Sequence, residues 1–157
     1  MSSQVLTNQA MDAWVGYLRG HSALTRELNA ELVARHGLTL NDYEVLLRLS
    51  HAERRAMRRV DLAHEVLLTA SGITRLLDGL ERAGWVCKRS CESDARVTYA
   101  VLTDSGYDKL SEAADFHLEG VRRAFAAHFT DDELETLAGL LARLDGSGEK
   151  GSCSPPD

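Results

Sequence analysis

Nine cationic side chains crowd residues 54–99: Arg54, Arg55, Arg58, Arg59, Arg75, Arg82, Lys88, Arg89 and Arg96. Six acids share the segment (Asp61, Glu65, Asp78, Glu81, Glu92, Asp94), leaving it at +3 while the other residues together carry −9. A guanidinium presents a planar fork of donors that fits phosphate oxygens and the edge of guanine. Salt screens exposed charges beyond about 10 Å, so a local basic face acts independently of a distant acidic one. The overall charge of −6 therefore does not exclude DNA. These residues offer contact with a phosphate backbone and reading of bases, not bond making. A solvated arginine loop is the plain alternative, and the excess of Arg over Lys, 15 to 3, also fits a genomic composition bias.

Other chemistries find little support. Gly146-Ser147-Gly148-Glu149-Lys150-Gly151 matches G-x-G-x-x-G, but it follows a helical stretch and opens no helix, so it lacks the context that gives the motif meaning. There is no nucleophile elbow and no paired-carboxylate arrangement; no enzyme, catalytic residue or cofactor is expected. No Cys-x-x-Cys and no pair of histidines four apart occurs, so no metal site is expected. Three cysteines do not make a disulfide scaffold, which suits a reducing, cytoplasmic setting. No apolar run approaches the ~20 residues of a membrane span. Asp12 and Arg19 interrupt the stretch where the apolar region of a secretory signal would fall.

Positioning the basic residues requires a helical body, and 157 residues at 44% hydrophobic suffice for about one domain. Met11, Trp14, Leu18, His21, Leu24, Leu28 and Leu32 recur at three and four, a one-sided helical stripe stopped by Gly37. Thr39 with Asp42 caps a second helix whose inner face is Tyr43, Leu46, Leu47 and Ser50. Arg54 to Arg58 reads as a connection. A short helix, about Val60 to Leu67, and a helix from Ala70 to Ala83 follow. The second of these is capped by Thr69, closed by Gly84, and buries Ile73, Leu76, Leu77 and Leu80. The period then changes. Trp85–Arg89 and Val97–Leu102 are β-prone around a polar turn, which predicts one hairpin. Helical spacing resumes from Tyr107 to His128, and Thr130 with Glu133 opens a last helix bearing Leu134, Leu137, Leu141 and Leu144. Residues 146–157, with both prolines, are expected to be disordered. The order fits a mainly α protein with a small β-hairpin wing, a winged helix-turn-helix; a small α+β domain with an ordinary hairpin is the alternative.

If Ala70–Ala83 reads DNA, its inner face leaves Ser71, Thr74, Arg75 and Asp78 outward, with Thr69 at its start. Gly72 and Gly79 each cost about 1 kcal/mol inside a helix. That cost suggests close approach, of Gly72 to the DNA backbone and of Gly79 to a neighbouring helix; two tolerated glycines are the alternative. Lys88 and Arg89 on the first strand and Arg96 near the tip supply a second contact, and a narrow minor groove attracts an inserted arginine. Asp94 is expected to hold Arg96 through a charged hydrogen bond, unless the two form only a surface ion pair. Arg58 and Arg59 complete the candidate DNA-binding set.

Two stretches resemble the multiple antibiotic resistance regulator (MarR) family. Asp94-Ala95-Arg96-Val97-Thr98-Tyr99-Ala100-Val101-Leu102-Thr103 with Gly106 looks like its wing. Ser71-Gly72-Ile73-Thr74-Arg75-Leu76-Leu77-Asp78-Gly79-Leu80-Glu81-Arg82-Ala83-Gly84 is similar to its recognition helix and exit, and Leu62-Ala63 matches the helix before. The likeness in helix order covers about residues 8–145. It implies a homodimeric winged-helix regulator that binds a pseudo-palindromic DNA operator, often released by a small, frequently phenolic, ligand. It makes Arg96 the wing-tip minor-groove residue and Asp94 its partner. The Arg-rich segment after the second helix departs from the pattern.

The expected organisation is a helical dimerisation region, 1–38 with 104–145, flanking a winged helix-turn-helix over 39–103. The outer helices carry apolar stripes that a DNA-reading module of this size leaves uncovered, and two-fold pairing is the commonest way to cover them; a purely intramolecular bundle is the alternative. An effector would lodge between the dimer helices and the DNA-reading lobe, near Trp14, Leu18, His21 and Tyr43, with Glu44 and Arg48 at a polar end. Each of these residues also suits a plain core. Two further readings stay open: a redox switch through Cys87 and Cys91, which flank the hairpin turn, and a winged-helix dimer that binds protein instead of DNA. Redox-sensing members of the family carry their cysteine near the first helix, where this chain has none.

Overall fold

The computed structural model describes residues 7–145. Helix α1 (Asn8–His36) precedes α2 (Leu40–His51), a 3-10 turn (Glu53–Arg55), strand β1 (Ala56–Arg58), α3 (Arg59–Glu65) and α4 (Ala70–Arg82). Strands β2 (Val86–Ser90) and β3 (Thr98–Leu102) lead into α5 (Asp104–Ala124), a 3-10 turn (Ala126–His128) and α6 (Asp131–Asp145). The architecture is mainly helical with one small antiparallel sheet, a winged helix-turn-helix in which α3 and α4 precede the β2–β3 wing. No helix among the described residues is long and apolar enough to cross a membrane.

Local chemistry explains most boundaries. Gly37 takes a left-handed conformation (φ 66°) and its N–H bonds Val33 O, which closes α1. Thr39 and Asp42 form a reciprocal capping box: Thr39 Oγ1 accepts from the Asp42 amide at 3.1 Å, and Asp42 Oδ2 accepts from the Thr39 amide at 2.8 Å. Thr69 caps α4, its hydroxyl accepting from the Gly72 amide at 3.1 Å. Gly84 turns the chain out at φ 79°.

The core joins Leu32, Leu38, Tyr43, Val45, Leu46, Leu49, Leu62, Ile73, Leu77, Leu80, Val86, Ala100, Leu102 and Leu110. The expected inner face of α4 is realised, with Ile73, Leu77 and Leu80 buried and Leu76 packed at the edge. On α2 the buried face is rotated: Val45 and Leu49 are fully buried, whereas Leu47 and Ser50 lie at the margin.

The sheet differs from the expected hairpin. Ala56–Arg58 is a third strand, in the order β1-β3-β2, with Met57 opposite Ala100 and Cys87 opposite Val101. Three residues are too few to show alternation, so the segment reads as a connection until the open edge of β3 recruits it. The step from sheet to α5 is tightly stitched. Thr103 Oγ1 donates to Gly84 O (2.7 Å) and accepts from the Gly106 amide (3.0 Å), while the Thr103 amide reaches Trp85 O (3.1 Å). A Cβ on Gly106 would stand 2.0 Å from Trp85 O.

Contacts divide the chain into two compact units, up to Glu119 and from Gly120 onward. In the second, helical geometry stops at Ala124 instead of running to His128, because Phe125 leaves the helical region (φ −121°, ψ −68°). The capping box that opens α6 is present: Glu133 Oε2 accepts from the Thr130 amide at 2.9 Å, and Thr130 Oγ1 from the Glu133 amide at 3.3 Å. The stretch expected to be disordered, with its G-x-G-x-x-G match, lies outside the described residues.

Candidate nucleic-acid interface

On α4, Ser71 and Arg75 are exposed. Thr69 spends its hydroxyl on the cap and lies 3.3 Å from Ser71 Oγ. Thr74 is half-buried and donates back to Ala70 O at 2.8 Å. Gly72 has a local reason beyond any approach of DNA: a Cβ there would stand 3.1 Å from the capping Thr69 Oγ1. Gly79 does not meet a neighbouring helix; the nearest atom to a Cβ would be the Arg82 guanidinium at 4.0 Å. The turn between α3 and α4 places Leu67 in the left-handed region (φ 55°) with 89% of its surface exposed.

The wing tip is organised by Asp94, though not through the guanidinium as expected. Asp94 Oδ1 accepts from the Arg96 amide at 3.0 Å, an Asx turn that fixes the main chain at Arg96 and leaves its side chain outward. Val97 N–H reaches Asp94 O (3.0 Å) and Cys91 N–H reaches Val97 O (2.9 Å), which closes the loop. Arg96, Val97 and Thr98 share a small cleft of about 80 Å³ with Arg58, Arg59 and Val60, so three arginines from the wing and the start of α3 converge. Arg89 and Arg54 line a second groove of about 510 Å³ beside Ser90 and Tyr99.

The Arg-rich segment is divided in its loyalties. Arg58 makes two bonds to Asp61, at 2.6 and 3.0 Å, which strengthen its hold on its proton. Arg55 donates to Asp104 at 3.1 Å and lies over the Tyr107 ring at 4.3 Å, fastening the 3-10 turn to the start of α5. Arg54 stands 4.0 Å from Glu53 and points to solvent. Lys88 is not turned outward: its ammonium meets Asp78 at 2.5 Å and Glu81 at 3.0 Å. Asp78, expected to face out of α4, is thereby engaged. Hydrogen bonds from Lys88 hold both carboxyls below their ordinary range and raise Lys88 in turn.

The expected effector residues separate into two groups. His21, Tyr43 and Glu44 line a cavity of about 690 Å³ with Ser22, Thr25, Arg26, Asn29 and His117. Trp14 and Leu18 stand outside it, exposed on α1, where Trp14 stacks on Tyr17 and Tyr17 on His21. Arg48 also stays outside and pairs with Glu44 (2.7 Å) and Glu65 (3.6 Å). His117 is the residue sequence reasoning missed. Its ring centre lies 4.5 Å from that of Tyr43, and its Nδ1 is buried without a hydrogen-bond partner. Burial lowers its pKa, partly opposed by Glu44; burial, helped by Glu44, raises that of Tyr43. The signal was available, since His117 lies seven residues after Leu110 on an otherwise apolar face.

Cys87 and Cys91 are both free thiols. Cys87 lies on β2 and Cys91 directly beyond its last residue, Ser90; four residues of extended chain span about 13 Å, and a disulfide needs Cα atoms within about 7 Å. The two cannot pair with each other in this fold. The Ser93 hydroxyl, with the amides of Ser93 and Asp94, holds the Cys91 thiol below its ordinary value. No cluster of metal-ligating side chains occurs among the described residues.

The model of the MarR family matches residues 38–98, the span from the cap of α2 to the start of β3. Over nearly its whole length the chain is also similar to the crystal structure of AbsC, a MarR family transcriptional regulator from Streptomyces coelicolor: 33% identity, 92% of this chain, 97% of that one, TM-score 0.84. The chain belongs to the MarR family. A second MarR structure from the same organism, Sco3205 in complex with DNA, is 30% identical, with a TM-score of 0.86 over 96% of this chain and 94% of that one. The homoprotocatechuate degradative operon repressor of Escherichia coli is 29% identical over 85% of this chain and 80% of that protein. As a MarR protein the chain is a DNA-binding transcription regulator, not an enzyme.

Proposed function

We propose that this MarR protein is a homodimeric, cytoplasmic repressor of a pseudo-palindromic operator, released by a small aromatic, phenolic effector. The observation that carries the reading is the wing: an Asx turn on Asp94 presents Arg96 to solvent at the end of a hairpin that directly follows α4. In this reading Ser71, Thr74 and Arg75 reach base edges and phosphates in the major groove, with Thr69 and Gly72 at the helix start. Arg96 enters the adjacent minor groove, and Arg58, Arg59 and Arg89 meet phosphates. The DNA-bound relative and the relative named a repressor support it.

Pairing of two copies is supported by apolar side chains left in solvent. Met11, Trp14, Tyr17 and Leu18 are exposed on α1, Leu118 is 61% exposed on α5, and in the second unit Leu140, Leu141 and Leu144 are exposed on α6. Residues 1–38 and 104–145 then serve as the dimerisation region, and two-fold symmetry sets the recognition helices about 34 Å apart, one DNA turn. The effector would occupy the cavity of His21, Tyr43, Glu44 and His117, where the aromatic rings suit a planar ligand and the orphaned His117 Nδ1 a phenolic hydroxyl.

Fluorescence anisotropy against the chain's own upstream DNA tests the function. Binding that neutralises Z phosphates weakens with salt at a slope of about −0.9Z in log–log form. The reading predicts a steep slope and a stoichiometry of two chains per site. Absence of salt-dependent affinity for any duplex would favour the rival, a winged-helix dimer that binds protein.

A further inference from the structure

The lysine expected at the DNA phosphates is spent inside the protein. Lys88 Nζ sits between Asp78 Oδ1 (2.5 Å) and Glu81 Oε2 (3.0 Å), and the Lys88 amide also donates to Glu81 Oε1 at 3.1 Å. One residue of the first wing strand is thus tied three times to two carboxylates one helical turn apart on the recognition helix. All three side chains remain between about a third and a half exposed, and exposed ion pairs contribute little to stability. What the arrangement does supply is direction, because the contacts converge on one point from two helix positions. A strand held there points its far end, and so Arg96, at a defined angle to α4.

We propose that Lys88, Asp78 and Glu81 form a strut between wing and recognition helix, in which Lys88 is a positioning residue for DNA binding and touches no phosphate. The proposal rests on the DNA-binding reading above, and it reverses the simple charge argument. Two carboxylates on a DNA-facing helix would ordinarily repel phosphate, so their neutralisation should tighten binding. Within a strut they are needed.

The test compares the wild type with Lys88→Met, with Asp78→Asn/Glu81→Gln, and with the triple variant, using the operator duplex across a salt series. Amide hydrogen exchange of residues 89–97 is followed in the absence of DNA. The strut predicts that Asp78→Asn/Glu81→Gln weakens operator binding about tenfold despite removing negative charge. It predicts that Lys88→Met weakens binding comparably with an unchanged salt slope, and that the triple variant is no worse than either, the non-additivity expected of groups acting as one unit. Lys88→Arg, whose fork can span both carboxylates, should rescue binding. Exchange in the wing should speed up equally in Lys88→Met and Asp78→Asn/Glu81→Gln. Tighter binding by Asp78→Asn/Glu81→Gln, or a salt slope about one unit shallower in Lys88→Met, would overturn the proposal and make Lys88 a phosphate contact. If the wild type bound no duplex, the DNA reading would fail, while the exchange data would still decide whether the strut exists.

Discussion

Replacement of Arg96 by alanine separates the wing's architecture from its chemistry. The tip is held by the Arg96 amide on Asp94 Oδ1 and by the Val97 and Cys91 main-chain bonds, none of which involves the guanidinium. Arg96→Ala should therefore leave folding stability within about 0.5 kcal/mol of wild type, as for other exposed substitutions. A hydrogen bond to a charged group contributes about 1.5–3 kcal/mol, and a two-fold complex makes the contact twice. The expected loss is about 3–6 kcal/mol, or roughly a hundredfold to ten-thousandfold in operator affinity. Asp94→Ala is the informative companion. It keeps the arginine and removes one hydrogen bond that orders its backbone, so its loss should be smaller than that of Arg96→Ala, with a local stability cost of about 1 kcal/mol. Anisotropy titration of a labelled operator at fixed salt, with sedimentation to verify the dimer, reads both. Unchanged affinity in Arg96→Ala would remove the wing from the interface. An equal or larger loss in Asp94→Ala would mean that the carboxylate contributes more than the ordering of the turn.

Three further outcomes are expected. Gly106→Ala places a Cβ against Trp85 O and should lower stability by about 1–3 kcal/mol or more in thermal unfolding, with the neighbouring Ser105→Ala as a benign control. Burial depresses the folded-state pKa of His117, so the unfolded chain binds the extra proton first. Stability should hold above about pH 6.5 and fall as pH drops below it, and the slope should flatten in His117→Phe in pH-dependent melts. Leu18→Glu with Trp14→Glu should convert the sedimenting species to a monomer and abolish operator binding while far-ultraviolet circular dichroism stays helical; a persistent dimer would move the interface elsewhere.

Much of the fold was legible because side-chain chemistry marks it locally. Thr39 with Asp42, Thr69, Thr130 with Glu133, and the glycines 37 and 84 announce boundaries through caps and left-handed turns that need no distant partner. The inner face of α4 followed from leucine spacing alone. What stayed hidden depends on tertiary pairing. Ala56–Arg58 becomes a strand only because β3 offers an edge, and the buried face of α2 rotates toward Val45 and Leu49 because the core, not the helix, decides which face is inner. At the site, residue types identified the basic surface but not its commitments. Arg55 turned to Asp104 and Tyr107 and Lys88 to Asp78 and Glu81, each paired by a neighbour that the one-dimensional pattern does not place, whereas the Arg58–Asp61 pair is local, three residues apart, and was open to sequence reading. Gly79 has no close neighbour to account for it, and nothing in the structure explains it. Among the expected effector residues, His21, Tyr43 and Glu44 gather around one cavity, whereas Trp14 and Leu18 belong to an exposed stripe of the same helical period.

Hydroxyl-radical footprinting of the upstream DNA is the most direct test of two copies gripping one operator through helix and wing. The radical cleaves from the minor groove, where Arg96 is placed. Wild-type protein should give a two-fold symmetric pattern whose half-sites are centred about 34 Å apart, with outer minor-groove protections that disappear in Arg96→Ala while the central pattern remains at higher protein concentration. A single asymmetric patch, or outer protections that survive in Arg96→Ala, would contradict it.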